Sequence, residues 1–405
     1  MKILLLNTYE HGGAGIACRR LHAALQSIGL QSGTLNSTYF SKWPFYAERL
    51  SFLPLERDKS VRFAFSLANF GHDLSRHPLV QEADVLHLHW INQGFLSLKN
   101  IEQLGKLGKP IVWTLHDMWA FTGGCHYSQG CDHFLQQCGH CPFLRRPGAT
   151  DRSNQIWRQK QRLLPSHIQF VTCSEWLAGV ARQSGLLHDK PVQAIPNPID
   201  TTVFQPATVA DRDAIRHKLG CSPLEKILMF AAMKVSDERK GLTYLQQALL
   251  RLKHENPDLP VKILVLGKTD ATMATALPYP VIAPGLIQSP EELAILYSAA
   301  DAFVIPSLED NLPNTVMESL ACGTPVIGFQ TGGIPEMVTH RQEGYIVPQK
   351  DVNGLAEGIK WILGMGEMEY GKLRRQARTK VEQEYSNILV AKQYLALYER
   401  LLQHP

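Results

Sequence analysis

Two lysines, Lys234 and Lys240, sit around a polar loop in AAMKVSDERKGLTYL (Ala231–Leu245), where a strand gives way to a helix opened by Lys240 and Gly241. Two cations on one loop can neutralise a pyrophosphate, each charge-assisted contact contributing about 1.5–3 kcal/mol. Lys234 supplies a point charge, where an arginine would supply a two-pronged fork, and Arg239 is the fallback cation. Further along, PSLEDNLPNTVMESLACGTPVIGFQTGGIPEMV (Pro306–Val338) leaves a strand at Ser307, crosses an acidic loop and enters a helix. Pro313 fits a first helical position, which needs no N–H. A helix start of this kind turns bare amides and a positive dipole end toward phosphate. The amides of Asn311, Leu312, Asn314 and Thr315 are the candidates. Glu318, about a turn inside, only accepts hydrogen bonds and suits the paired hydroxyls of a ribose. Acids near a helix start, taken singly, more often complement the dipole; the long block as a whole favours a site.

The first half supplies other groups. Gly12, Gly13 and Gly15 let backbone approach a ligand at a helix start, although a plain tight turn explains them equally well. A dinucleotide fingerprint would need G-x-G-x-x-G and an acid about 20 positions on, and this loop lacks that spacing. The strand PIVWTLH ends in His116 followed by Asp117, and a histidine at a strand's carboxyl end faces the usual ligand crevice. His87 and His89 fall on one strand face; His89 with Trp90 suits an acceptor border, and His87 equally suits a satisfied core. After them comes TGGCHYSQGCDHFLQQCGHCPFL, in which Cys125, Cys131, Cys138 and Cys141 make up half of the chain's 8 cysteines. Four thiolates at this spacing can hold a structural zinc, with His126, His133 or His140 as replacement ligands; a redox-sensitive thiol cluster or plain reduced cysteines are the competing readings.

These residues need a scaffold, and 405 residues allow two α/β domains. Hydrophobic content of 44% with 19% charged residues describes a globular chain. The net charge of +4, with 41 basic and 37 acidic residues and no dense basic run, argues against nucleic acid. A small positive excess suits a polyanionic small molecule or a membrane surface. MKILLLNTYEHGGAG turns polar before any cleavage pattern, and no stretch of about 18 apolar residues occurs, so the expected location is cytoplasmic, at most peripheral at the inner face of the membrane.

Short apolar runs alternate with helical patterns throughout, the mark of βαβ units. Expected strands are Lys2–Asn7, Asp84–Trp90, Pro110–His116, Gln169–Ser174 and Val192–Pro196, then Lys226–Ala232, Val261–Gly267, Asp301–Ser307 and Thr324–Phe329. Ile16, Leu21, Leu25 and Ile28 mark the first helix, closed by Gly29. IPNPID (Ile195–Asp200) breaks the pattern as a linker. The expected fold class is α/β: two doubly wound Rossmann-like domains with a cleft between them. Their expected bounds are 1–198, carrying the cysteine-rich insertion 121–145, and 199–385, with 386–405 a last helix returning to the first domain.

The Pro306–Val338 block resembles the E-x7-E region of glycosyltransferase family 4, the retaining transferases of GT-B architecture, and the similarity spans essentially the whole chain. Glu318 matches the glutamate that contacts the donor ribose. Asp310 falls on the one near the donor sugar, a methylene shorter than the family's residue, with Glu309 as substitute. Lys234 and Lys240 fall on the diphosphate-binding cations, Gly12 and Gly13 on a glycine pair bordering donor and acceptor, and His116 on a histidine that bonds the donor sugar. Backbone at Pro284–Ile287, with Gly285 and Leu286 at its centre, is expected beside the base. Asn311 and Pro313 stand where the family often has glycines. The cysteine-rich loop after the His-Asp pair resembles an exopolysaccharide and colanic-acid subgroup.

The resemblance implies retaining transfer of a sugar from a UDP- or GDP-sugar to a glycan or polyprenyl-linked acceptor, with no catalytic metal and any zinc structural. A nucleotide-sugar epimerase, a glycogen-type phosphorylase or a non-catalytic sugar-nucleotide binder of the same fold are the alternatives. No pyridoxal-phosphate lysine is identifiable for a phosphorylase, and the glycine spacing disfavours an oxidoreductase.

Overall fold

Side-chain alternation along short apolar runs decides the layering. In β1 (Lys2–Leu6), Leu4 and Leu6 enter one buried cluster while Ile3 and Leu5 enter another. A strand buried on both faces needs apolar residues at every position, and this one therefore appears as an unbroken run. The computed structural model describes residues 1–268 and 276–403, so the last two residues of the expected terminal segment lie outside the described residues.

The chain forms two compact units, Met1–Pro198 with Ile388–Pro405, and Ile199–Asn387. In the first, β1 joins β2 (Gln31–Leu35), β3 (Val85–Leu88), β4 (Ile111–Leu115), β5 (Ile168–Thr172) and β6 (Val192–Ala194). The sheet is parallel, in the order β2-β1-β3-β4-β5-β6. Helix Gly12–Ser27 covers one face through Cys18, Leu21 and Leu25, and the terminal helix Asn387–Gln403 covers it through Val390, Tyr394 and Tyr398. The two tyrosine hydroxyls are satisfied in the core. Tyr398 lies 2.7 Å from His87 Nδ1 and Tyr394 lies 3.0 Å from Thr114 Oγ1.

The second unit holds β7 (Lys226–Lys234), β8 (Val261–Lys268), β9 (Val281–Gly285), β10 (Ala302–Ile305), β11 (Val326–Phe329) and β12 (Gly344–Val347). They form a parallel sheet in the order β12-β11-β10-β7-β8-β9. In doubly wound sheets ligands bind beyond the strands' carboxyl ends where the winding direction reverses. That point lies between β1 and β3 in the first unit and between β7 and β10 in the second. Among the described residues no helix is long and apolar enough to cross a membrane.

Three strands go beyond the sequence expectations: β2, β9 and β12, each at an edge of its sheet. Two local expectations also need correction. Pro313 precedes helix Asn314–Ala321 with extended backbone (ψ 122°) and is its cap residue, one position before the first turn. Ile16 is only partly buried; Gly15, Ala17 and Cys18 line the inner face of the first helix instead.

Candidate active site

In the second unit, the loops after β7 and β10 meet. Lys240, closing the short turn Glu238–Lys240, places Nζ 2.6 Å from Asp310 Oδ2. The neighbouring amide of Leu308 donates to the Arg239 carbonyl at 2.7 Å, tying one loop to the other. Gly241 makes this approach possible, since a Cβ there would stand 1.8 Å from the Pro306 carbonyl oxygen and its φ is +72°. Gly332 does the same on the other side, with a Cβ position 1.6 Å from the Asp310 carbonyl oxygen. Asp310 is thus held by a cation in front and by glycine backbone behind.

Helix Asn314–Ala321 starts at this junction. Asn311 and Leu312 are buried, while Asn314 and Thr315 are partly exposed. Glu318 is buried on the helix, and the Tyr297 hydroxyl donates to its Oε2 at 3.0 Å, which fixes the carboxylate. Lys234 is exposed at the end of β7 and is the register partner of Lys268 on β8. Gly285 ends β9 with φ +87°, and Leu286 beyond it is exposed. The junction brings Lys240, Asp310 and the start of the Glu318 helix together; no contact joins Lys234, Gly285 or Leu286 to them in the described bonding. Tyr297 and Lys268 were not expected from the sequence. A tyrosine thirteen or so positions before the acidic loop carries no local signal, and Lys268 would have needed the strand register.

The switch point of the first unit is built from rings and neutral imidazoles. Helix Gly12–Ser27 begins there at His11; Gly12 has φ +76° with open space around it, and Gly13 is open too. Gly15 is the packing position, where a Cβ would fall 2.5 Å from the Tyr9 carbonyl oxygen. Tyr9 stacks on His11 at 5.0 Å between centroids and lies 6.0 Å from Trp90. Behind them, His87, His89 and His116 form a stacked series with centroids 4.4 and 5.2 Å apart. His116 Nε2 lies 2.9 Å from His89 Nδ1, and the Cys173 thiol lies 3.5 Å from His116 Nδ1. Burial pushes His116 down to about 4 and His87 to about 3, so both are neutral at pH 7. His87 is the core residue, bonded by both nitrogens to Tyr398 and Thr114. His89 differs: its buried Nε2 has no hydrogen-bond partner among the described residues.

Asp117 links this region to the cysteine-rich segment. Its Oδ2 accepts from the Trp90 indole at 2.8 Å and lies 2.7 Å from His126 Nδ1, while Oδ1 accepts from the Trp119 amide at 2.8 Å. These partners keep the carboxyl below the ordinary range despite burial, which acts in the other direction. His126 is itself held by Ser66 Oγ at 2.9 Å. Lys160, fully buried, donates to the carbonyls of Trp119 and Thr122 and lies 3.5 Å over the Trp119 ring.

The structure lends the zinc expectation no support. Cys125, Cys131, Cys138 and Cys141 line one small cavity, but they share it with Phe65, Phe134 and Phe143. Among the described residues no group of three or more His, Cys, Asp or Glu is arranged to hold a metal ion. The segment packs as a small apolar knot.

Comparison with known proteins decides the family. A model described as "Glycosyl transferases group 1" matches residues 225–365, and one described as "Glycosyltransferase Family 4" matches residues 11–203. The chain is a family 4 glycosyltransferase. The transferase is 25% identical to the putative colanic acid biosynthesis glycosyl transferase WcaC of Escherichia coli, over 99% of this chain and 100% of that one. It is 30% identical to the amylovoran biosynthesis glycosyltransferase AmsK of Erwinia amylovora, over 47% of each chain. A glycosyltransferase from Rickettsia africae superposes with TM-score 0.71 at 15% identity, covering 100% of this chain and 99% of that one. HepE of Anabaena, solved with UDP, superposes with TM-score 0.65 at 16% identity, covering 99% and 100%. The two parallel sheets are those of the GT-B fold.

Proposed function

We propose that the transferase takes a hexose from a UDP- or GDP-sugar, with retention at the anomeric carbon, and passes it to a saccharide acceptor in the assembly of a cell-surface polysaccharide. The observation that carries this reading is the Lys240–Asp310 pair at 2.6 Å, seated where the β7 and β10 loops meet and the Glu318 helix begins. Pyrophosphate fits a place that offers a lysine and the positive end of a helix dipole. Glu318, oriented by Tyr297, is suited to a ribose diol, and Asp310 positions Lys240 while remaining available near the sugar. Lys234, with Lys268 beside it, adds charge at the strand ends. The polysaccharide role is supported by the colanic acid and amylovoran relatives, and the uridine donor by the UDP complex of HepE.

In this reaction the bond from the anomeric carbon to the diphosphate oxygen breaks as the bond to the acceptor oxygen forms on the same face. The acceptor proton passes to the leaving phosphate, so no protein base is required. Preorganised positive charge at the leaving group is then the main catalytic contribution. On the first unit, neutral His116 and the unpartnered Nε2 of His89 suit hydroxyl groups of a sugar. The weak contact from His116 to the Cys173 thiol is the one a ligand would replace.

A thermal-shift panel of UDP-, GDP- and ADP-hexoses, followed by turnover with the best stabiliser, tests the reading. A ligand at 100-fold its Kd adds about 2.7 kcal/mol of stability. The expected result is stabilisation by a uridine or guanosine sugar, lost in Glu318→Ala. Absence of stabilisation by every activated sugar would refute the proposal.

A further inference from the structure

Helix Trp43–Phe52 carries apolar residues on both of its sides. Its inner side, with Pro44, Ala47 and Phe52, is buried. Glu48 locks that side in place by accepting from the backbone amides of Ala68 at 2.6 Å and Asn69 at 3.1 Å. The helix therefore cannot roll to hide its other side. There Trp43, Tyr46 and Leu50 are 65%, 55% and 64% exposed, and Leu53 just beyond is 47% exposed. Their spacing of three, four and three residues puts them in one outward stripe. Phe63, 62% exposed, extends the stripe, because the Arg49 guanidinium lies 4.7 Å over its ring. Scattered exposed apolar residues are ordinary, but a continuous aromatic and leucine stripe on a fixed helix marks an interaction surface.

The charge around the stripe selects the partner. The acids of this segment are engaged: Glu48 by backbone amides, Glu56 by Arg62 and Asp58 by Arg57. Lys42 stands at the head of the helix, Arg49 flanks the stripe and donates to the neutral carbonyl of Arg62, and Lys59 follows. A tryptophan, tyrosine and leucine face bordered by lysine and arginine matches the headgroup layer of an anionic bilayer, with rings at the interface and cations at the phosphates. We infer that helix Trp43–Phe52 seats the transferase on an anionic membrane surface. This goes beyond the donor reading and stands apart from it, since none of these residues belongs to the proposed sugar site.

Sedimentation with vesicles tests the inference on the full chain. The probes are phosphatidylcholine vesicles with and without 30 mol% phosphatidylglycerol, so the only variable is surface charge. The wild-type chain should bind the anionic vesicles at least tenfold more tightly than the neutral ones, and binding should weaken at high salt. The triple variant Trp43→Ser, Tyr46→Ser, Leu50→Ser should lose at least tenfold of that affinity, and Lys42→Glu severalfold. Both should keep the wild-type Tm and UDP-sugar shift, because the replaced side chains face outward. Equal binding by the triple variant, no vesicle binding, or a dimer in sedimentation velocity that the same substitutions abolish would overturn the inference, the last by assigning the stripe to a second copy. Loss of nucleotide-sugar binding in the wild type would instead overturn only the donor reading.

Discussion

Both units place their candidate residues where the winding of a parallel sheet reverses, yet they fill that place with opposite chemistry. Between β7 and β10 the second unit gathers charge: Lys240 against Asp310, Glu318 on a helix start, Lys234 and Lys268 at the strand ends. Between β1 and β3 the first unit gathers rings, with Tyr9, His11 and Trp90 outside and His87, His89 and His116 behind, and burial holds His87 and His116 neutral. One topology can host either set, because the fold supplies only converging loop ends and the side chains decide what binds there. A charged pocket suits a nucleoside diphosphate leaving group. A ring-lined, neutral one suits the hydroxyls and apolar faces of a saccharide.

The largest expected effect tests the charged half. Lys240→Ala removes a cation near the proposed leaving group and leaves Asp310 without its partner; Glu318→Ala removes the ribose acceptor. Each should lower kcat/KM by about 10²–10³, the scale for a lost charge-stabilising group, with unfolding midpoints close to wild type. Rates within threefold of wild type in both variants would break the comparison at its charged end.

A second contrast concerns two glycines with left-handed backbone. Gly241→Ala meets both the strained φ of +72° and the Pro306 carbonyl 1.8 Å from the new Cβ, whereas Gly12→Ala meets only its φ of +76° in open space. The expected losses in urea unfolding are about 3 kcal/mol or more for Gly241→Ala and about 1 kcal/mol for Gly12→Ala. Similar losses would mean that the β7 and β10 loops are not as tightly docked as their geometry indicates.

The same contrast shows what a sequence discloses. Interior strands such as β1, β4 and β10 are buried on both faces and announce themselves as apolar runs. The strands missed, β2 (QSGTL), β9 (VIAPG) and β12 (GYIV), carry at most three apolar residues in a row and lie at sheet edges, where the polar residues of β2 and Pro284 of β9 are tolerated. In the site, Lys240, Asp310 and Glu318 were legible one by one from their motifs. The Lys240–Asp310 bond was not, because it spans the intervening strands and depends on Gly241 and Gly332 admitting close backbone. The four clustered cysteines carried a metal pattern that packing among phenylalanines does not support. His126 was weighed only as a spare ligand, although it is the residue that joins that segment to Asp117.

That link gives a smaller effect on the ring-lined half. His126→Ala or Asp117→Asn should loosen the Trp90 indole, which Asp117 holds at 2.8 Å. If the rings receive the acceptor, its KM rises about tenfold, equal to about 1.4 kcal/mol, while the thermal shift with a UDP-sugar stays at the wild-type value. A changed donor shift with an unchanged acceptor KM would reverse the assignment of the two halves.

The smallest effect is the proton linkage of the histidine series. His116 and His87 have folded-state values near 4 and 3, below the 6.5 of an unfolded imidazole, because their charged forms lose water in the core. Between those values and 6.5 the unfolded chain binds more protons than the folded one at these two groups, so their contribution to stability falls as pH drops through this window; above it the slope passes to buried Lys160, whose value burial brings down from 10.5 to about 7. The first unit should be about 1 kcal/mol less stable at pH 6 than at pH 7. Intrinsic fluorescence follows mainly this unit, since Trp361 is the one tryptophan of the 7 outside it. His116→Gln, which cannot take up the proton, should flatten part of the slope. An acid dependence untouched by that substitution, or one that rises toward low pH, would mean that the imidazoles are not held neutral and that the two halves are less different in charge than their geometry implies.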